Sequence, residues 1–273
     1  MAKKLLIRLS ENKMQSLSKH KNLQDARILI TNDDGYDADG IKLLTKIIEP
    51  MVREVWVIAP SKESSGSGHS LTVRRNIDVV QRSDRKFSVD GTPTDCVILA
   101  LNQIMESTRP DLVLSGINRG VNIAEDITYS GTVGAAYEAT IAGVRAIAFS
   151  QELATTSKID WSSARENLGA VIQRLYNEDW KPDCLLNVNF PKQITCEGQI
   201  KFSSQGRHKE GDEIALISNY NGKRSYRIGA VKVNKSIQKN SDIEALKNGC
   251  ISVTPISINH TDTAFKNTLE NQS

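Results

Sequence analysis

Asp33 and Asp34 stand side by side directly after an apolar run, in the stretch Ile28–Gly40, "ILITNDDGYDADG". Asp37 and Asp39 follow, so four carboxylates fall within seven residues, and the stretch holds no lysine or arginine. Like charges crowded at a strand end repel, and a divalent cation would offset them. Two further loops offer partners. Residues 61–70 carry Ser64, Ser65, Ser67 and Ser70, and residues 115–131 and the residue after them carry Asn118, Asn122, Asp126, Ser130 and Thr132. Carboxylate, amide and hydroxyl oxygens are the donors that Mg²⁺ or Mn²⁺ prefers, rather than zinc or copper. The third loop runs into "SGTVGAA" at a helix start, where unpaired backbone N–H groups and the helix dipole form a seat for phosphate. Ser130, Gly131 and Thr132 are the residues expected there. One helix cap needs one residue, so adjacent aspartates fit a cation better than a cap.

The elements that must position these loops read as alternating strands and helices. Residues 27–31 form a short apolar strand, and 40–48 have helical spacing (Ile41, Leu44, Ile47, Ile48). Strand 54–59 and a hairpin over 77–90 follow. A helix over 94–105 has Thr94 in its first turn or at its cap. Then come strand 111–115, a small-residue helix over 133–141, strand 146–150, an amphipathic helix over 161–177 and the strand "CLLNVNF". This alternation predicts a layered, Rossmann-like α/β core with a mainly parallel sheet, whose site lies at the carboxyl ends of its strands. Residues 199–254 carry strand-like runs with turn residues between them, Asn221–Gly222 among them, and read as a C-terminal antiparallel β-hairpin arm. The expected division is a basic, disordered extension over 1–26, a catalytic core over 27–195, and an arm and tail over 196–273 that serve oligomerisation.

Composition narrows the function classes. A net charge of +3 over 273 residues is too small to mark nucleic acid or an anionic membrane as the main partner. At 5% aromatics the chain lacks stacking platforms for single strands. Cys96, Cys184, Cys196 and Cys250 show no C-x-x-C spacing and read as free thiols of a cytoplasmic protein. No run approaches the ~20 apolar residues of a transmembrane helix. The glycine pattern of a dinucleotide site and the P-loop are both absent. An EF-hand placed on Asp37–Gly40 would have the wrong residues at both ends. A haloacid-dehalogenase-type phosphatase needs D-x-D directly after strand one, and here that pattern is displaced to Asp37–Asp39; this is the rival enzyme. A non-catalytic nucleotide sensor is the rival outside enzymes.

Several blocks occur together and in order: "ITNDDGYDADGI", "VIAPSKESSGSGHSLT", "GTPTDCV", "PDLVLSGINRGVNIAEDITYSGTVGAAYEA" and "AIAFS", with weaker echoes in "LLNVNFP" and "ISVTPI". In these the chain resembles the SurE survival-protein family of nucleotidases. The resemblance implies a metal-dependent phosphatase of nucleoside 5′- and 3′-monophosphates, extending to short polyphosphate, working as a dimer or tetramer with exchanged C-terminal elements. It implies one divalent cation per subunit, Mg²⁺ or Mn²⁺ with Co²⁺ as a substitute, on Asp33, Asp34, Ser65 and Asn118. Asp33 or Asp34 would also act as catalytic base towards a water, with direct attack by an aspartate left open. Asp37–Gly40 departs from the His-Ala-Pro-Gly-like run usual in the family, and the N-terminal extension is unusual, but neither removes a ligand.

Overall fold

The computed structural model describes residues 22–155, 159–197, 199–233 and 236–271. Its main body is a nine-stranded sheet in the order β3 (Val79–Ser83), β4 (Lys86–Val89), β2 (Glu54–Pro60), β1 (Arg27–Thr31), β5 (Leu112–Arg119), β6 (Ala146–Gln151), β7 (Cys184–Phe190), β11 (Ile251–Ser257), β8 (Ile200–Phe202). The first strand, β1, is flanked by β2 and β5, parallel to both. The parallel run continues through β6 and β7 on one side and β4 on the other. At the edge, β3 pairs antiparallel with β4, the hairpin expected over 77–90.

Strands buried on both faces read as continuous apolar runs, and β1 shows how the two cores divide. Ile28 and Ile30 face one layer and Leu29 the other, as the two-residue period of a strand requires. The first layer receives α1 (Asp39–Ile48), through Ile41, Leu44 and Ile48, and α5 (Ser162–Tyr176), through Leu168, Val171 and Leu175. The second receives α2 (Pro93–Leu99) and α4 (Gly131–Ile141), whose Ala135, Ala136 and Ala139 let it lie close to the sheet. Thr92 caps α2 in a capping box with Asp95, which places Thr94 inside the first turn. A wider turn over Ala100–Ile104 completes the helix expected to reach 105. The short α3 (Asp126–Tyr129) leads directly into α4.

The division of the chain differs from the expected one at both ends. Residues 1–21 of the N-terminal extension lie outside the described residues. Leu23, however, opens a single tight turn and is fully buried with Ala26, so the core begins before Arg27. The segment expected as an arm over 196–273 also contributes elements to the core. β11 enters the main sheet antiparallel to β7, and β8 adds beside it in parallel. Between them α6 (Asp242–Lys247) buries Ala245 and Leu246. The arm proper is β9 (Lys209–Tyr220) with β10 (Lys223–Val233), a separate antiparallel ribbon turned by Asn221–Gly222, both with positive φ. The closing helix, α7 (Thr263–Glu270), buries none of its residues.

The free-thiol expectation holds for Cys96 and Cys184 and is corrected for the other pair: Cys196 and Cys250 are joined by a disulfide. Backbone bonds from Thr195 and Cys196 to the Gly249 carbonyl bring them together across a sequence separation of 54, which spacing alone hides. No helix among the described residues is long and apolar enough to cross a membrane.

Candidate active site

The chain moves from β1 outward to β2 and later returns to place β5 on β1's other side. A crevice opens at the carboxyl ends of strands where their order reverses in this way. Asp33 and Asp34 follow β1, the Ser61–Ser70 loop follows β2, and Asn118 lies at the end of β5. The three loops are tied together by the backbone. The Ser64 N–H donates to the Asp33 carbonyl at 2.7 Å, and the Arg119 N–H donates to Asp34 Oδ2 at 3.1 Å.

Asp33 is 3% exposed. The Thr132 hydroxyl donates to its Oδ1, and the backbone N–H groups of Gly131 and Thr132 also point at its carboxylate. The chain's own carboxylate thus lies at the positive end of α4, beside the groups expected to seat a phosphate. Ser130 Oγ accepts from the Val133 N–H as the helix cap, a bond that uses an oxygen lone pair and not the hydroxyl hydrogen. Gly131 is required by this seat, since a Cβ there would stand 2.8 Å from Asp33 Cβ and 2.6 Å from Ser67 Oγ.

Burial raises the Asp33 pKa, against the opposing hydrogen bonds from Thr132 and Gly131. Asp34 is pushed up to about 6, first by burial and then by the neighbouring Asp33 charge, with Glu63 adding to the repulsion and Arg119 opposing it. A folded pKa above the unfolded value means that the stabilisation is present at low pH and lost as pH rises through about 6. Without metal the protein should therefore lose about 1–2 kcal/mol of stability as pH rises from about 4 to about 6, after allowing for solvent screening at this half-buried group. Denaturation in chelator across that window measures it, and an Asp34→Asn protein with the same slope would refute the assignment.

The remaining donors suit a hard cation. Asn118 Nδ2 donates to the Gly120 carbonyl at 2.9 Å, which leaves its amide oxygen as an acceptor. Ser65 is exposed, and its Oγ donates to Glu63 Oε1 at 2.8 Å, keeping oxygen lone pairs available. The buried Ser67 Oγ has no hydrogen-bond partner. Among the described residues no three His, Cys, Asp or Glu side chains cluster to hold a metal, so a site here must combine the two aspartates with neutral oxygens. The residues present fit Mg²⁺ or Mn²⁺ on that chemistry.

Sequence reasoning missed the frame behind these groups. The Asn122 peptide is clamped by Asn189, which accepts from its N–H at 2.8 Å, and by Asn187, which donates to its carbonyl at 2.7 Å. Its side chain donates to Ser150 Oγ at 2.8 Å. The fully buried Asp242 accepts from the N–H groups of Ala124 and Gly206, each at 2.9 Å, and so pins the same loop to the C-terminal part of the chain. The paired asparagines of "LLNVNF" were the available signal, because polar residues inside a buried strand need partners.

A family model described as "Survival protein SurE" matches residues 28–212. The chain belongs to the SurE family. It is 47% identical over 231 residues to the 5′-nucleotidase SurE of Paramagnetospirillum magneticum, which covers 84% of this chain and 89% of that SurE protein. It is 41% identical over 245 residues to the 5′-nucleotidase SurE of Rhodospirillum rubrum, covering 88% of this chain and 94% of the relative. The crystal structure of the SurE protein from Aquifex aeolicus superposes with a TM-score of 0.77 at 34% identity, covering 90% of this chain and 99% of that one. The SurE match includes all three loops that meet at Asp33.

Proposed function

We propose that the chain is a 5′-nucleotidase: a divalent-cation-dependent phosphomonoester hydrolase of nucleoside 5′- and 3′-monophosphates that also takes short polyphosphate. The observation that carries this reading is the pair Asp33 and Asp34, held against each other at the mouth of the sheet with Asp33 fixed by the end of α4. The names of the SurE relatives supply the substrate class. When bound by Asp33, Asp34, Ser65 and Asn118, Mg²⁺ or Mn²⁺ (or Co²⁺ in their place) would polarise a phosphoryl oxygen and lower the pKa of a water. Thr132 and Gly131 hold the Asp33 carboxylate in one orientation. Asp33 or Asp34 would take the proton of the attacking water. Burial of Asp33 keeps solvent from competing for its oxygens.

The working unit we infer is a dimer or tetramer. A two-stranded ribbon is marginal alone, and on this arm Ile214, Ile228 and Tyr220 are 67%, 75% and 76% exposed. One experiment tests both parts of the reading. Protein stripped with chelator is assayed on AMP, GMP, 3′-AMP and tripolyphosphate with Mg²⁺, Mn²⁺ or Co²⁺ added back, and the active species is sized by sedimentation. Phosphate release only with metal, from a species heavier than one 30.2 kDa chain, is expected. Undiminished turnover by protein shown to be metal-free by elemental analysis would sink the reading. Saturable nucleotide binding without turnover would make the chain a sensor instead.

A further inference from the structure

A half-exposed aromatic residue stands in the chain at the junction of the short α3 and the helix that holds Asp33. Tyr129 is the last residue of α3, and its side chain is 50% exposed. Its carbonyl accepts from the Gly68 N–H at 2.9 Å, which ties it to the loop that carries Ser65 and Ser67. Two residues on comes Gly131, which with Thr132 holds Asp33. Two peptide units span at most about 7 Å, so the backbone of Tyr129 lies within that distance of the aspartate seat.

Next to the ring lies a cleft of about 560 Å³, at the root of the arm. Glu125, Gln205, Arg207 and Lys209 line it. The Lys209 ammonium sits 4.9 Å from the centre of the Tyr129 ring and 3.3 Å from its hydroxyl, and is itself paired with Asp212 at 2.9 Å. The cleft's walls are held in place. Glu125 Oε2 accepts from the N–H groups of His208 and Lys209, and Gln205 Nε2 donates to the Ala124 carbonyl at 2.8 Å. That bond leaves the Gln205 amide oxygen as an acceptor for a donor in the cleft.

We propose that Tyr129 is the platform on which the substrate's nucleobase stacks, with the cleft between Glu125, Gln205 and Lys209 receiving the nucleoside. This rests on the phosphohydrolase reading of the aspartate site. The proposal gives a division of labour. The phosphomonoester sits at Asp33 and Asp34, and the base, one sugar away from it, meets Tyr129, whose ring is half exposed. The Tyr36 face, by contrast, carries the Arg82 guanidinium 5.1 Å from its centre. An aromatic face accepts any base, because every base has a π-face, so this platform selects nucleotides over other phosphomonoesters without selecting strongly among the four bases.

The test compares AMP with ribose 5-phosphate, the same phosphomonoester without its base, at saturating Mn²⁺. The wild type should favour AMP in kcat/KM. Tyr129→Ala should cut that preference about tenfold, the effect of losing one stacked base, mainly through KM. Tyr129→Phe keeps the ring and should keep the preference. Equal losses on both substrates in Tyr129→Ala would show a structural role and overturn the proposal. So would an unchanged preference, or a Tyr129→Phe protein as impaired as Tyr129→Ala. Hydrolysis of both substrates by a wild type with no preference would overturn it as well, while the metal-phosphatase reading stood. Hydrolysis of neither substrate by the wild type would remove that reading and this proposal with it.

Discussion

Asp34→Asn should abolish phosphate release from AMP and yet melt no lower than the wild type in chelator. The metal-free site is the reason. The Asp34 carboxylate is raised to about 6 because burial and the Asp33 charge both oppose its ionisation, and Glu63 adds to them. An asparagine keeps an oxygen for the Arg119 N–H and removes the repulsion. Two charges ~4 Å apart repel by roughly 4 kcal/mol at an effective dielectric of ~20. Solvent relieves much of this at a half-buried group, so the variant should gain about 1 kcal/mol without metal. With metal the order reverses. Wild type gains about 2.7 kcal/mol at a hundredfold excess of metal over the dissociation constant, and Asp34→Asn gains far less. Activity at fixed metal should fall by more than the ~100-fold that loss of an outer partner of a metal ligand costs. If Asp34 were only a helix cap, asparagine would serve as well as aspartate, with normal activity and a normal metal response. Melting curves with and without Mn²⁺, beside AMP hydrolysis rates, separate the two. A variant that keeps both activity and metal-induced stabilisation would show that Asp34 is not a ligand.

Local chemistry made much of this legible in advance. The β1 run is apolar and ends in polar turn residues, and the structure places the strand over the same five residues. Asn221–Gly222 adopts the positive φ values that a two-residue hairpin needs, as that dipeptide favours. The three oxygen-rich loops do meet, because each follows a strand of one parallel sheet. What stayed hidden depends on contacts distant in sequence. Thr132 is 99 residues from Asp33, and nothing in "SGTVGAA" tells whether its N–H groups receive a phosphate or a carboxylate of the same chain. "ISVTPI" reads as a strand but not as one that inserts beside β7 (Ser252 opposite Asn189). Its alternating pattern suits an arm as well as a core. Leu23 lay behind a basic, polar leader, and a single buried leucine has no periodicity to betray it. Ser65 shows a different limit. The structure leaves it exposed and bonded to Glu63, so its expected role as a ligand rests on family resemblance.

Gly40→Ala should be among the most damaging single-methyl changes in the molecule, although it places a better helix former at the second residue of α1. In an open helix that substitution gains roughly 0.5–1 kcal/mol. Here α1 lies so close to β5 that a Cβ on Gly40 would stand 1.9 Å from the Ile117 carbonyl oxygen and 3.2 Å from the Trp161 ring. The first contact is with backbone, which cannot swing aside as a side chain would. Either α1 lifts from the sheet, loosening Ile41 and Leu44 from the core, or the end of β5 moves. Overpacking of this kind costs about 1–3 kcal/mol and can cost more. The second route matters for function, because Asn118 follows Ile117 and Arg119 holds Asp34. The expected result is a loss of about 3 kcal/mol in denaturant unfolding, together with weaker Mn²⁺ binding by the protein that remains folded. Asp39→Ala, one residue earlier and exposed, is the comparison: it removes only a favourable charge at the helix start, worth about 0.5 kcal/mol, and should leave Mn²⁺ binding as it was. Were Gly40→Ala as stable as the wild type, the close approach of α1 to β5 would be wrong. Were it destabilised with unchanged Mn²⁺ affinity, the strain would be taken up by α1, and the end of β5 would be shown to hold Asn118 independently of that helix.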